Sequence, residues 1–348
     1  MIENSSSGIF LRESKMKGVM NVACNHCVVR ELNFEIKAHG ELNLRMLPEV
    51  IHHLSRSNTI HKVEENVITI KEAGARDFLD FCNDHMESEQ VEFRIDDQTW
   101  KPLSELPTVL DMEWIDEVIT KGLVTFHFQP IVNVREEIFA YELLSRFKKE
   151  DGSLIYPNEI FAAARNRGRL YALDRLCRLT AVKYAAPLNK KTFINFIPTS
   201  IYAPEFCLRS TVELANQLGV DPSLFVFEVV ETEKVDDLAH LKAILTYYKD
   251  RGFEYALDDV GEGFSTIEML LELKPHYMKL DMKYVQGVSS DLNKQKIAKQ
   301  FLEKALEIQS VPLAEGVEFR EDFDWLKQSG YQLFQGYLFG KPDPIPKQ

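Results

Sequence analysis

From Val124 to Phe334 the chain alternates short apolar runs, rich in β-branched and aromatic residues, with longer stretches whose apolar positions recur every three or four residues. The runs that read as strands are Val124 to Ile131, Ile138 to Leu144, Thr192 to Phe196, Phe225 to Val229, Tyr255 to Leu257, Tyr277 to Leu280, Val311 to Leu313 and Tyr331 to Phe334. Strands alternating with helices imply a parallel sheet with crossover connections, and eight of them predict an α/β fold of the (β/α)8 TIM type. No internal repeat or low-complexity tract competes. Upstream, Val28 to Ile36 and Asn66 to Ile70 alternate as strands, whereas Leu44 to Ser55 and Ala75 to Met86 carry helical spacing, the second with Phe78, Leu79, Phe81 and Cys82. A smaller α+β domain therefore precedes the barrel. Trp100 to Pro107 reads as a linker because its prolines stop helix and sheet. Asp111 is then expected to cap a helix from Met112 to Lys121, with Trp114, Ile115, Val118 and Ile119 on one face and Gly122 as its stop.

The predicted division is a disordered segment over residues 1–20, a sensory or regulatory α+β domain with linker over 21–110, and the barrel over 111–346. A length of 348 residues agrees, since roughly 150 residues per domain is usual and an α/β barrel alone can use about 250. With 45% hydrophobic and 27% charged residues the chain can bury a sizeable core. Its net charge of −13 argues against binding a DNA or RNA polymer or an anionic membrane, where Lys and Arg supply the affinity. Any phosphate ligand would then need cations to offset the local charge. Residues 1–20 are interrupted by Ser5, Ser6, Ser7, Arg12, Glu13, Lys15 and Lys17, so they resemble neither a signal peptide nor an anchor, and no run reaches the roughly 18 apolar residues of a membrane span. Five cysteines without a secretory signal point to a reducing, cytoplasmic setting with no structural disulfides.

Three of those cysteines lie upstream of the barrel. Cys24-Asn25-His26-Cys27 is a Cys-x-x-Cys knuckle, and Cys82-Asn83-Asp84-His85 could present two further ligands one helical turn apart. Together they would hold Zn2+ or form a redox site. The gap between the pairs is long, so buried free cysteines are the competing reading.

Polar residues mark the strand ends of the barrel. Glu142 sits in the second strand, Asn195 near the end of the third, Glu228 in the fourth, Asp258 and Asp259 at the close of the fifth and Lys279 in the sixth, with Glu315 after the seventh and Gln335 after the eighth. In a barrel these positions converge on the mouth formed by the strands' carboxyl ends. Adjacent side chains on a strand point to opposite faces, so Asp258 and Asp259 can share one site only where the backbone bends, a role expected of Gly261 and Gly263. Carboxylates and amides converging without cysteine or histidine make an oxygen ligand set, which favours Mg2+ or Mn2+ over zinc or copper.

In these residues the chain resembles the EAL-domain family of cyclic di-GMP phosphodiesterases, from about Trp114 to Pro342 and with the motifs in family order. Phe128-Gln129-Pro130-Ile131 resembles the opening strand, and Tyr141-Glu142-Leu143-Leu144-Ser145-Arg146 the signature segment, with leucine in place of its alanine. Ile194-Asn195-Phe196, Phe227-Glu228-Val229-Val230-Glu231, Met278-Lys279-Leu280-Asp281 and Ala314-Glu315-Gly316-Val317-Glu318 follow, and Gln335-Gly336-Tyr337 with Gly340-Lys341-Pro342 closes the set. The segment Asp258-Asp259-Val260-Gly261-Glu262-Gly263 resembles the family's Asp-Asp-Phe-Gly-Thr-Gly, and Phe264 replaces the tyrosine that follows.

The resemblance implies a first metal on Glu142, Asn195, Glu228 and Asp258 and a second on Asp258, Asp259 and Glu315, two ions in all. It further implies that Lys279 acts on the attacking water or on the charge at phosphorus, that Gln335 orients water or metal, and that the product is linear pGpG. Gln129 and Arg146 are candidates for substrate contact, Arg146 because a guanidinium grips phosphate bidentately. Glu231 would anchor the glycine-rich loop, which in the family reaches a homodimer interface. The substitutions at Val260, Glu262 and Phe264 bear on the second metal without removing a ligand. Three functions stay open: an active phosphodiesterase regulated by its amino-terminal domain, a degenerate cyclic di-GMP receptor or protein-interaction module, and an unrelated barrel enzyme. For the amino-terminal domain, metal sensing and docking of a protein partner are both open.

Overall fold

The computed structural model describes residues 29–96, 98–229, 237–261 and 266–347. The first part is a five-stranded antiparallel sheet of order β2-β3-β1-β4-β5, built from β1 (Asn33–Ala38), β2 (Ile60–Glu64), β3 (Val67–Lys71), β4 (Val91–Ile95) and β5 (Lys101–Pro102). Every second side chain of its central strands is buried: Phe34 and Ile36 on β1, Ile68 and Ile70 on β3, Phe93 and Ile95 on β4. They form one core with Leu47, Val50 and Leu54 of helix α1 (Glu41–Arg56) and Phe78 and Cys82 of α2 (Glu72–His85). Each fully buried phenylalanine contributes about 1.5–3 kcal/mol by removal from water.

The predicted linker is part of this core. Lys101–Pro102 pairs with β4, and a short helix α3 (Leu106–Leu110) buries Leu106, Val109 and Leu110 beside Leu103. Pro107 occupies the first turn of α3, where its missing N–H costs nothing. Asp111 therefore ends α3 instead of opening the next helix, α4 (Trp114–Lys121), which Gly122 stops in the left-handed conformation at φ 65°.

The barrel strands are β6 (Val124–Asn133), β7 (Ile138–Lys148), β9 (Lys191–Phe196), β10 (Phe225–Val229), β11 (Glu254–Val260), β12 (Tyr277–Leu280), β13 (Val311–Ala314) and β14 (Leu333–Gln335), with β8 (Leu154–Ile155) paired to the outer end of β7. The order β6-β14-β13-β12-β11-β10-β9-β7 is closed by the pairing of β6 with β7. One expectation needs correction, because β6 runs antiparallel to both neighbours. Residues 134–137 are all that join β6 to β7, and a parallel connection needs about a dozen residues or more. After β8, helices α5 (Pro157–Asn166) and α6 (Leu170–Ala185) lead to β9.

Inside the barrel a single apolar layer takes one residue from each strand: Ile131, Ala140, Phe193, Val226, Ala256, Tyr277, Leu313 and Leu333. Because the side-chain period is two, the residue two positions nearer the mouth on each strand points into the same interior. Those positions are Gln129, Glu142, Asn195, Glu228, Asp258, Lys279, Glu315 and Gln335. The apolar layer is thus the floor of a polar one.

Candidate active site at the barrel mouth

Lys279 stands at the centre of the polar layer, with a side chain 1% exposed. Its Nζ lies 2.5 Å from Glu228 Oε1, 2.9 Å from Asp258 Oδ1, 3.1 Å from Glu315 Oε1 and 3.8 Å from Glu142 Oε2. Two amides brace Glu142 from either side. Asn195 Nδ2 donates to Glu142 Oε1 at 3.0 Å, and Gln335 Nε2 donates to Glu142 Oε2 at 2.6 Å and to Gln129 Oε1 at 3.1 Å.

The ion pairs are close but not aligned as hydrogen bonds: both oxygens of Glu228, Lys279 Nζ, Glu315 Oε1 and Gln335 Oε1 have no directional hydrogen-bond partner. Buried oxygens in that condition are costly unless a cation or water meets them. Asp258, Asp259 and Glu315 each offer a carboxylate oxygen within 4.8 Å of the others. The donor set is all oxygen and amide, so the residues present fit a hard divalent cation.

The protonation pattern agrees. Burial pushes Glu228 well above the ordinary carboxylate value in spite of the lysine beside it, and burial together with the Asp258 charge does the same to Glu315. Burial also acts on Asp258, but the Lys279 charge and the hydrogen bond from Glu315 outweigh it and hold Asp258 below the ordinary value. Asp259 is pushed up to about 7, by burial first and then by the Asp258 charge. Burial opposes the charge on Lys279, and the surrounding carboxylates override it, keeping the ammonium protonated.

Asp258 and Asp259 reach the site by a device other than the expected one. Strand β11 continues through both aspartates, its register with β12 shifts between Leu257 and Val260, and Asp259 adopts φ 47°. This bulge within the strand turns two consecutive side chains toward one region. Aspartate is among the few side chains that tolerate the left-handed conformation. Gly261 follows for a different reason: at φ 112°, a Cβ there would lie 2.6 Å from the Tyr284 ring, whose hydroxyl donates to Gly261 O at 3.0 Å.

Beside the mouth lies a cavity of about 460 Å3, with Leu143, Arg146, Phe161, Cys177, Asn195 and Phe196 in its wall. Arg146 is half-buried there, and burial lowers the pKa of its guanidinium. The barrel thus brings together Gln129, Glu142, Asn195, Glu228, Asp258, Asp259, Lys279, Glu315 and Gln335, with Arg146 at the rim. Glu231, Glu262, Gly263 and Phe264 lie outside the described residues, as do Cys24 and Cys27. The proposed zinc pair of Cys82 and His85 is divided: Cys82 is fully buried beside Phe78, its thiol raised to about 11 by burial, whereas His85 is exposed and packs on Phe81 with ring centroids 4.8 Å apart. Helical spacing of three placed them one turn apart, but the core claimed the cysteine. Sequence reading passed over Asp174 and Arg178, buried at 2% and 1% exposure on α6, although their spacing of four is an ion-pair signal.

A closed barrel with a buried lysine and convergent carboxylates at its mouth defines a barrel protein equipped for divalent cations. The chain belongs to the EAL domain family, whose model matches residues 112–342. It is similar to a protein of Escherichia coli K12 named probable cyclic di-GMP phosphodiesterase PdeG, at 30% identity over 240 residues that make up 66% of this chain and 46% of that one. The chain spans less than half the length of the first such relatives. Among solved structures, a standalone EAL protein of Vibrio cholerae O395 in its c-di-GMP-bound form is 38% identical with TM-score 0.57, covering 63% of this chain and 92% of that one. The FimX EAL domain of Pseudomonas aeruginosa bound to c-di-GMP shares the fold, with TM-score 0.62 at 22% identity over 68% of this chain and 97% of that one. Among the described residues no helix is long and apolar enough to cross a membrane.

Proposed function

We propose that the chain hydrolyses one phosphodiester of cyclic di-GMP to give linear pGpG. The observation that carries this reading is the mouth itself, where four carboxylates surround Lys279 and leave buried oxygens without hydrogen-bond partners. The ligand assignment drawn from the family resemblance stands as part of the proposal: Glu142, Asn195, Glu228 and Asp258 for one divalent cation, and Asp258, Asp259 and Glu315 for a second. Such ions, when bound, activate water and neutralise the phosphodiester.

The remaining chemistry falls to side chains. Gln335 and Asn195 fix which edge of Glu142 faces the interior, through bonds of 2.6 and 3.0 Å. Lys279 supplies a compact positive charge where negative charge builds on phosphorus. Arg146 grips a phosphate oxygen from the rim, and the apolar cavity beside it accepts a purine face. Gln129 holds the outer edge of the site. Water oxygen bonds to phosphorus, the ribose 3′-oxygen leaves, and that oxygen takes up the proton.

The amino-terminal domain is assigned a regulatory part. Supporting this is Arg167, fully buried between the two halves of the chain, whose guanidinium donates to Glu72 Oε1 and Oε2 at 3.0 Å each, to Asp116 Oδ2 at 2.8 Å and to Val109 O at 3.1 Å. Arg169 adds a bond to Asp116 Oδ1 at 2.5 Å. Both arginines follow α5, the helix whose other side walls the cavity. A homodimer across the barrel rim belongs to the same reading, supported by exposed Met282 and Phe319 after β12 and β13.

The test is chromatography of cyclic di-GMP incubated with the purified chain and Mg2+ or Mn2+, with chelator, and with Glu142→Ala. Appearance of pGpG only with metal and intact Glu142 sustains the proposal. Nucleotide that binds and survives makes the chain a receptor; nucleotide that does not bind leaves a protein-docking scaffold.

A further inference from the structure

Helix α6 carries a buried charge that the chemistry above does not use. Arg178 is 1% exposed and donates from Nε to Asp174 Oδ2 at 2.8 Å and from Nη1 to Thr211 Oγ1 at 2.8 Å. Asp174, 2% exposed, spends its other acceptor sites on the chain leaving β9: its Oδ1 accepts from the Ile197 backbone N–H at 3.0 Å, and its Oδ2 accepts from Ser200 Oγ at 2.6 Å. Ile197 stands two residues beyond Asn195, where β9 has ended at Phe196 and a 3-10 turn, Pro198–Ser200, begins. A chain end released from its ladder has backbone groups to satisfy, and here one aspartate satisfies it from a neighbouring helix. The strand is short, so the exit of β9 also sets the pose of Asn195, whose amide meets Glu142 at 3.0 Å.

A carboxylate with three donors still needs a fixed direction. Arg178 supplies it, because its planar fork spans Asp174 and Thr211 at once, and Thr211 lies fully buried on the helix Arg209–Gln217. Both ends of that fork are held by separate helices.

We infer that Arg178, acting through Asp174, is a positioning residue for Asn195 and thereby sets the affinity of the mouth for a divalent cation. The inference rests on the cation-binding reading of the mouth, but not on turnover. Arg178 does not itself wall the cavity, as Asp174 does, so its replacement reaches the site through Asp174 and the β9 exit.

The measurement is Mn2+ binding to the full chain by electron paramagnetic resonance of free manganese, with wild type, Arg178→Met, Arg178→Lys and Thr211→Val compared. Arg178→Met is expected to weaken the tighter Mn2+ site about tenfold. Arg178→Lys, which keeps the charge but cannot span both partners, should fall between it and wild type. If turnover is present, the Mn2+ concentration for half-maximal rate should rise in the same order, a change that mere loss of folded protein would not produce. A folded Arg178→Met that binds Mn2+ within twofold of wild type overturns the inference. Should Arg178→Met fail to fold, Thr211→Val decides, with about threefold weaker binding in favour and unchanged binding against. Wild type that binds Mn2+ without hydrolysing cyclic di-GMP would sink the phosphodiesterase reading and leave this comparison intact; wild type that binds no Mn2+ would sink both.

Discussion

Replacing Lys279 with methionine removes the one positive charge inside the mouth among the described residues while keeping a side chain of similar length. The carboxylates of Glu228, Asp258, Glu315 and Glu142 then lose a partner that sits 2.5, 2.9, 3.1 and 3.8 Å from them. Breaking a buried pair by deleting one partner costs about 3–5 kcal/mol, most of it for the charge left behind. At about 2–4 °C per kcal/mol for a domain of this size, the melting temperature should fall by about 6–20 °C in chelator. The sign with pH follows from the raised carboxyls. Glu228 and Glu315 already sit well above the ordinary value, so the folded state holds protons that the unfolded chain releases, and stability falls as pH rises from the unfolded value toward the folded one. Without Lys279 that window widens upward, so the deficit should be smaller at pH 5 than at pH 8. Differential scanning fluorimetry of both proteins, in chelator and in millimolar Mn2+, measures each quantity, and Mn2+ should restore most of the loss. A variant within 2 °C of wild type in chelator, or one indifferent to Mn2+, would refute the electrostatic account.

Three other outcomes are expected. Asp259→Asn keeps a side chain that accepts φ 47°, so it should melt with wild type but bind Mn2+ about tenfold more weakly in calorimetry, whereas Asp259→Val should lose about 1–3 kcal/mol from backbone strain. Arg167→Met strands Glu72 at the junction and leaves Asp116 to Arg169 alone, so limited proteolysis should cut between the two halves several-fold faster while the isolated barrel fragment resists. Cys82, buried with its thiol raised to about 11, should escape alkylation in the native protein at pH 8 and react in denaturant, as mapped by mass spectrometry.

Periodicity made the barrel readable because each inner strand had to be apolar at one interior position and polar two residues later. Val226 with Glu228 and Ala256 with Asp258 show the rule. The direction of β6 was not readable from its residues, since antiparallel and parallel strands share that pattern; only the short 134–137 connection decides it. Strand β2 escaped for another reason: most of Ile60–Glu64 is exposed, so no alternation marks it. Strand β4 does alternate, Val91, Phe93 and Ile95 facing inward, and could have been found. Trp100 to Pro107 misled because its prolines were weighed and its leucines were not, yet Leu103 and Leu106 are fully buried. Nor could the sequence reveal that Asp259 takes the left-handed conformation, which depends on a register shift against β12.

The mouth is organised by a conflict of charges that the fold imposes and cannot itself relax. Closing the barrel places Glu142, Glu228, Asp258 and Glu315 in one interior layer around Lys279 whatever their ionisation, because the apolar layer two residues below fixes the register. Two like charges about 4 Å apart repel by about 4 kcal/mol at an effective dielectric near 20, so several such pairs exceed what one ammonium offsets. Burial and the neighbouring charges raise Glu228 and Glu315 toward their protonated forms, and push Asp259 up to about 7. A divalent cation answers the same need with two charges at once and meets the oxygens that now lack hydrogen bonds. It must then displace protons to enter. Cation uptake should therefore release protons at neutral pH, and calorimetry in buffers of different ionisation enthalpy should give different apparent heats; identical heats would mean the carboxylates were already ionised and the conflict smaller than the geometry implies.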